Sequence, residues 1–384
     1  MSQGSTYPYC DITTDLQLAF KDIEDFAGWD TLTGFTPIDE IISDSDQIIS
    51  DSDQIIFVAK SGYKYNSIQS AIDSITDAAS DKIYTLFVFP GEYDEAITLK
   101  DYVDIIAFNP FNTYILRQVT DNGVPVHCNL KINIDNRQIG GSHGLYLKAA
   151  SVIRFDGNII GADGSGAGGS GIYNEAAGIV TVLNGNITGG KTGSTHTTGG
   201  HGIYNHSTGK ITVLNCKVTG GSSDDHYNNS GGNGIYNNST GIVIVSYSDT
   251  AGGKDTKGAG GTGVYNKSTG TVTFSNGIIT GGKCNNSGGT DGYGIRNVST
   301  GLVKVSNGKI TSLGTKSDSY PISGGSVILD NCIIYGIHAD VPAIYADEAK
   351  NVKCMNVWSN RDLHSNITNL IPGGFNVNSN VSLP

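Results

Sequence analysis

Five turn glycines, Gly178, Gly209, Gly241, Gly270 and Gly301, are each followed by the same short pattern. The second and fourth positions after the turn are always apolar: Val180 and Val182, Ile211 and Val213, Val243 and Val245, Val272 and Phe274, Val303 and Val305. The first and third vary among Ile, Lys, Thr and Leu. Such alternation predicts a β-strand with one buried face. A second apolar run, GIYN and its variants, carries Ile172, Ile203, Ile235, Val264 and Ile295, and a third, NITGG and its variants, carries Ile187, Val218, Ile279 and Ile310. The turn glycines are 31, 32, 29 and 31 residues apart. A period in this range means units that bury a core only by stacking on one another. No copy holds a helical stretch of ten residues, which excludes an α-solenoid. A propeller blade needs about four strands and ~40–45 residues. The pattern predicts an all-β fold, a right-handed parallel β-helix with three short strands per rung and about 4.8 Å between rungs.

Asparagine fits the same stack. Asn174, Asn205, Asn237, Asn266 and Asn297 share one turn position, and Asn184, Asn215, Asn276 and Asn307 share another, where Tyr247 is the exception. Stacked amides can bond rung to rung, and Asn tolerates the left-handed backbone of a sharp corner. The N-x-S/T sequons at Asn186, Asn205 and Asn266 are by-products of these rows. Phe155–Gly161 and Val327–Ile334 match the repeat beyond its clear copies, and Ala343-Ile344-Tyr345 is a worn GIYN. At least eight rungs are expected, from about residue 85 to about 357.

Composition narrows the partners. The chain has 384 residues, 16% charged, with 53 Gly and a net charge of −12. That balance argues against nucleic acid and anionic membrane surfaces. No apolar run reaches membrane-spanning length, so no membrane insertion is expected, and the first residues show no Sec-type signal pattern. The six cysteines have no paired spacing; Cys216 and Cys332 stand at a corner that is Gly in other copies and are expected to pack as small residues. No disulfide framework, metal site or cofactor is expected.

Four segments are expected: an attachment or linker module over 1–54, a β-helix entry with capping helix over 55–110, rungs over 111–357, and a C-terminal cap or tail over 358–384. In the first, Leu16, Phe20, Ile23 and Phe26 line one face of an amphipathic helix over 13–27, and a duplicated IISDSDQ fills 41–54. The acidic duplication suits a solvated linker, an edge strand or a cation site through Asp44, Asp46, Asp51 and Asp53. From Ile55 the reading is strand, helix over about 67–79 presenting Ile68, Ala71, Ile72 and Ile75, strand, and then the turn Pro90-Gly91-Glu92-Tyr93-Asp94-Glu95. This order, with its "PGxYxE" turn, resembles the start of pectin-lyase-like right-handed β-helix proteins, pectinesterases in particular. The resemblance implies that the helix caps the first rung. It speaks to fold more than to activity.

The resemblance also implies where enzymatic groups would stand. Pectinesterases carry two Asp, Gln residues and an Arg on successive rungs, whereas the repeat strands here hold Thr, Ser, Lys and Asn. Arg296 replaces the Tyr of GIYN and is expected to face outward in a structural role. Gly200-His201-Gly202 matches a polygalacturonase element literally, but other copies place Ser, Asn, Thr or Tyr where His201 stands. The acidic cluster Asp224, Asp225 and His226 falls in a loop after it. Loops 190–200, 221–233, 253–262 and 282–293 leave one corner and should form a wall. Beside them Tyr173, Tyr204, Tyr236 and Tyr265 should point outward, to hold sugar rings, to pack on another subunit or to stack on each other. These tyrosines, with His201, Asp224, Asp225 and His226, are the candidate glycan- or partner-binding residues, and no catalytic set is assigned. The expected function is a non-enzymatic virion component, a fibre, spike or decoration protein. It would be homotrimeric, joined to other virion proteins through residues 1–54, and able to touch a surface polysaccharide. It would be assembled in the host cytoplasm; extracellular delivery by a non-Sec route is the other location. The alternative function is a carbohydrate-active enzyme of the polysaccharide lyase, polygalacturonase or pectinesterase type.

Overall fold

One repeat shows how a rung is made. Ile203–Asn205 runs along a first sheet, Lys210–Leu214 along a second and Cys216–Thr219 along a third. Each pairs in parallel, residue for residue, with the copy before and after it. Ile203 stands over Ile172 and under Ile235, Ile211 between Val180 and Val243, and Val218 between Ile187 and Thr250. The computed structural model describes residues 54–193, 197–223, 229–286, 289–298, 300–313, 320–336, 344–345, 352–355 and 357–359. Over them the chain is a right-handed parallel β-helix of about 9 turns. Of the module expected over 1–54, residues 1–53, with the helix at 13–27 and nearly all of the acidic duplication, lie outside the described residues, as does the expected tail beyond Ser359.

The apolar register is as the alternation requires. Val180, Val182, Ile211, Val213, Val243, Val245, Val272 and Phe274 are fully buried, and so are the Ile and Val of the GIYN strands. Each such side chain contributes about 1.5–3 kcal/mol by leaving water. The stack begins earlier than the repeat suggests, at Ile55–Val58, and continues through Ile322–Gly324 and Ile344–Tyr345. Its first rungs are shorter because they lack loops: Ile105, Leu130 and Phe155 stand in one column.

The entry segment gives the Pro90–Glu95 turn a physical role. The helix is shorter than its apolar spacing suggests, Ile68–Ser74. It stops where two β-branched residues, Ile75 and Thr76, follow each other; Ile75 is already extended, and its carbonyl accepts from Lys100 Nζ. At the other end Ser67 caps the helix, its Oγ accepting from Ser70 N–H. Glu95 accepts from Ser67 Oγ at 2.5 Å, Ile68 N–H at 2.8 Å and Gln69 N–H at 3.0 Å. A carboxylate thus satisfies amides that the first turn leaves open. Tyr93, fully buried, donates its hydroxyl to Phe89 O at 3.0 Å. Ile68, Ala71 and Ile72 pack onto the end of the core, as a cap must.

The two Asn rows do different work. In the first, each Nδ2 donates to the Oδ1 of the next rung: Asn174 to Asn205, Asn205 to Asn237, Asn237 to Asn266 and Asn266 to Asn297, at 2.9–3.1 Å. All five are fully buried. The second row is chiefly conformational: Asn215, Tyr247, Asn276, Asn307 and Asn331 have φ of 50–54°. At the first copy the adjacent Gly185, with φ 121°, takes the positive angle instead of Asn184. Cys216 and Cys332 are buried beside this corner, as small residues. The five cysteines among the described residues are free thiols.

The loops form a second, narrower stack. Thr192, Ser223, Asp255 and Cys284 bridge in parallel on the outgoing side, and Thr198, Ser230, Ala259 and Thr290 on the returning side. Glycines make the neck. Gly221 N–H donates to Gly200 O, Gly232 to Gly221, Gly253 to Gly232, and Gly261 to Gly253, at 2.7–2.9 Å. A Cβ on Gly252 would stand 1.9 Å from Gly261 O, and one on Gly261 1.9 Å from Gly232 O. Only glycine lets the two sides approach this closely.

Candidate functional site

The aromatic face follows from the three-residue strands of the first sheet. In GIYN the Ile points inward, the Tyr outward, and the buried Asn closes the corner. Because the register is residue for residue, outward rings stack. Tyr146, Tyr173, Tyr204, Tyr236 and Tyr265 form one column with successive centroids 5.2, 4.7, 4.9 and 5.2 Å apart. The rings are tilted or edge-on to each other, the arrangement their quadrupoles prefer. Arg296 continues the column, its guanidinium 5.1 Å from the Tyr265 ring and 5.3 Å from that of Tyr293. It points outward, as expected. The column gathers cations: Lys148 lies 4.9 Å from the Tyr146 ring and Lys267 6.0 Å from that of Tyr236.

A parallel column lies beside it, at the residue two before each GIYN isoleucine. His143 stacks on Tyr173 at 4.5 Å, and His201 lies 4.7 Å from Tyr236 and 5.2 Å from Tyr204. Their ring nitrogens serve the backbone. His143 Nδ1 accepts from Ser170 N–H and His201 Nδ1 from Asn233 N–H, both at 3.0 Å. Asn233 Oδ1 in turn accepts from Thr262 N–H at 2.9 Å. Burial pushes the imidazoles of His143 and His201 down to about 4, and for His201 the nearby His143 adds to the effect. Both rings are therefore neutral near pH 7, with Nδ1 already bonded.

His201 thus joins the tyrosines on one face, its Nδ1 bonded to the Asn233 amide. Among the described residues, no carboxylate is hydrogen-bonded to it. Asp224, Asp225 and His226 lie outside the described residues. His143 was not singled out by the repeat, because its rung precedes the first clear GIYN; the spacing His143-Gly144-Leu145-Tyr146 carries the signal.

One charged group escaped the sequence reading. Around the third sheet of the early rungs, Arg117 pairs with Asp94 at 2.7 Å, and Arg137 with Asp135 and Glu92, each at 2.9 Å. They border a hollow of about 660 Å³. The Arg117 guanidinium holds the Asp94 carboxyl below the usual carboxylate range, whereas a general acid needs the opposite shift. Asp104 does have a raised carboxyl, pushed to about 6 by burial against the pull of two hydrogen bonds from Asn129. At 1% exposure it is closed to substrate. Among the described residues, no group of three His, Cys, Asp or Glu side chains is placed to hold a metal ion.

The fold and this face define a parallel β-helix protein with a stacked aromatic wall. No family model matches the chain, and no curated protein does. Among solved structures it is similar to a pectin methylesterase from carrot, at 9% identity and a TM-score of 0.32, over 87% of this chain and 90% of that one. No residue role transfers at that identity.

Proposed function

We propose that the protein is a non-enzymatic structural component of a virion, a fibre, spike or decoration protein that presents its aromatic wall to a surface glycan. The observation that carries this reading is the column from Tyr146 to Arg296, unbroken over successive rungs. Half-buried rings on a rigid sheet offer apolar faces for sugar rings, and their hydroxyls remain at the rim. The neutral imidazoles, held by backbone amides, support a platform and not a proton-transfer centre. Residues 1–54, which share no repeat with the rod, supply the attachment in this reading, and homotrimeric assembly belongs to it.

Three measurements test it. Antibody labelling of purified virions in electron micrographs should decorate the particle, and unlabelled particles sink the virion assignment. Binding to host surface polysaccharide should fall at least tenfold in a Tyr204→Ala/Tyr236→Ala variant that still folds; unchanged binding removes the wall from the reading. Incubation with polygalacturonate should leave the polymer intact. Depolymerisation that His201→Ala abolishes would promote the enzyme alternative.

A further inference from the structure

Tyr247 breaks the repeat where breaking it is unfavourable. The position has φ 50°, and the neighbouring rungs fill it with Asn215, φ 54°, and Asn276, φ 54°. Asn tolerates this left-handed conformation, whereas an aromatic residue there is strained. The ring gains no burial in return: Tyr247 is 67% exposed. It stands in a hollow of about 520 Å³ with Asn215 and Asn276 on the flanking rungs and Lys217, Asp249 and Asn186 on the adjoining strands. Among the described residues, the Asn215 and Asn276 amides and the Lys217 ammonium have no side-chain hydrogen-bond partner. Asp249 engages one oxygen, Oδ1, which accepts from Ile278 N–H at 3.0 Å. Polar groups that could bond each other across the corner are thus left open around one exposed ring.

We infer that this corner is a sugar-binding subsite separate from the aromatic wall, taking a neutral hexose or N-acetylhexosamine unit of a glycan. The Tyr247 ring is a platform for the apolar face of a pyranose, and the flanking amides donate to and accept from ring hydroxyls. Lys217 and Asp249 carry opposite charges, so the lining has no net charge and favours an uncharged sugar. The volume suits one or two sugar units. The strain at Tyr247 fits a residue kept for what it touches.

The repeat itself supplies the test, because Tyr247→Asn restores the residue that the corner prefers. The full chain is applied to an array of neutral hexose and N-acetylhexosamine oligosaccharides, and hits are followed by saturation-transfer NMR. The parent should bind at least one such glycan. Tyr247→Asn should melt no lower than the parent and lose at least tenfold in affinity, and Asp249→Ala should weaken the same glycan. A parent that binds no neutral glycan overturns the inference. So does a Tyr247→Asn protein that binds as the parent does. Binding lost in Tyr204→Ala/Tyr236→Ala but kept in Tyr247→Asn would overturn this subsite and leave the wall standing.

Discussion

Thr250 occupies the inward position that Ile187, Val218 and Ile279 fill on neighbouring rungs. It is 1% exposed, and its hydroxyl finds no partner. An unsatisfied buried hydroxyl costs about 1–3 kcal/mol, and valine has nearly the same shape. Thr250→Val is therefore expected to stabilise the protein by about 1–2 kcal/mol, read as a higher denaturant midpoint at unchanged slope. Asp104 makes a pH-dependent prediction. Its carboxyl is raised from 3.8 to about 6, so the native state binds the proton more tightly than the unfolded state does. Its contribution is fully present below pH 3.8 and is lost as pH rises to about 6, up to roughly 3 kcal/mol by linkage. Asp104→Asn keeps an acceptor for Asn129 and has no charge to bury. Its melting temperature should exceed the parent's at pH 7, and the difference should shrink towards pH 4. An equal difference at both pH values would show that ionisation is not the cause.

At the scale of the element, the buried Asn ladder has an inside and an end. Asn237 is held on both sides, accepting from Asn205 and donating to Asn266. Asn174 is the terminal member: its Oδ1 has no partner, because Leu147 occupies its position on the preceding rung. Asn237→Ala breaks two amide links, stranding Asn266 Oδ1 and leaving Asn205 Nδ2 only its bond to Gly209 O, whereas Asn174→Ala breaks one, stranding Asn205 Oδ1, and removes an atom that was already stranded. The interior change should cost more, by about 1–2 kcal/mol. Equal losses in chemical denaturation would mean that the ladder is incidental. This ladder was legible in the sequence because its spacing is regular, and so were the inward Val and Ile columns. The early rungs were less legible: with no loops their period shortens, so Arg117, Arg137 and Asp94 fell outside any register that could bring them together. The helix end was misjudged because Ile75 keeps its inward spacing after leaving helical geometry. Nor could spacing reveal that Nδ1 of His201 is committed to Asn233, since that bond depends on a side chain reaching the next rung's backbone.

From Ile56 on, the described rungs form a linear stack, and each is stabilised mainly by its two neighbours. A defect in the middle should therefore uncouple the halves, where a globular core would spread it. Val245 lies between Val213 and Phe274, fully buried. Val245→Asp places an unpaired charge there and should cost several kcal/mol. Hydrogen exchange should rise first around Ile242–Ser246 and its paired strands, then outward in rung order. Uniform exchange along the rod, or an unchanged melting temperature, would contradict nearest-neighbour coupling.

The glycine neck of the loops divides the molecule's tolerance of change. Gly252 and Gly261 admit no side chain because each would strike a backbone carbonyl at 1.9 Å. Beyond them the heads, 191–198, 222–230 and 254–259, already differ in length and sequence while the rungs beneath keep their register. The rod is insulated from its own ornament. A head can be lengthened, shortened or exchanged between rungs without disturbing the Val and Ile columns, provided the glycine pair survives. Such a chain can diversify what it displays along one edge and hold its stacked columns constant, two tolerances written into a single thirty-residue motif.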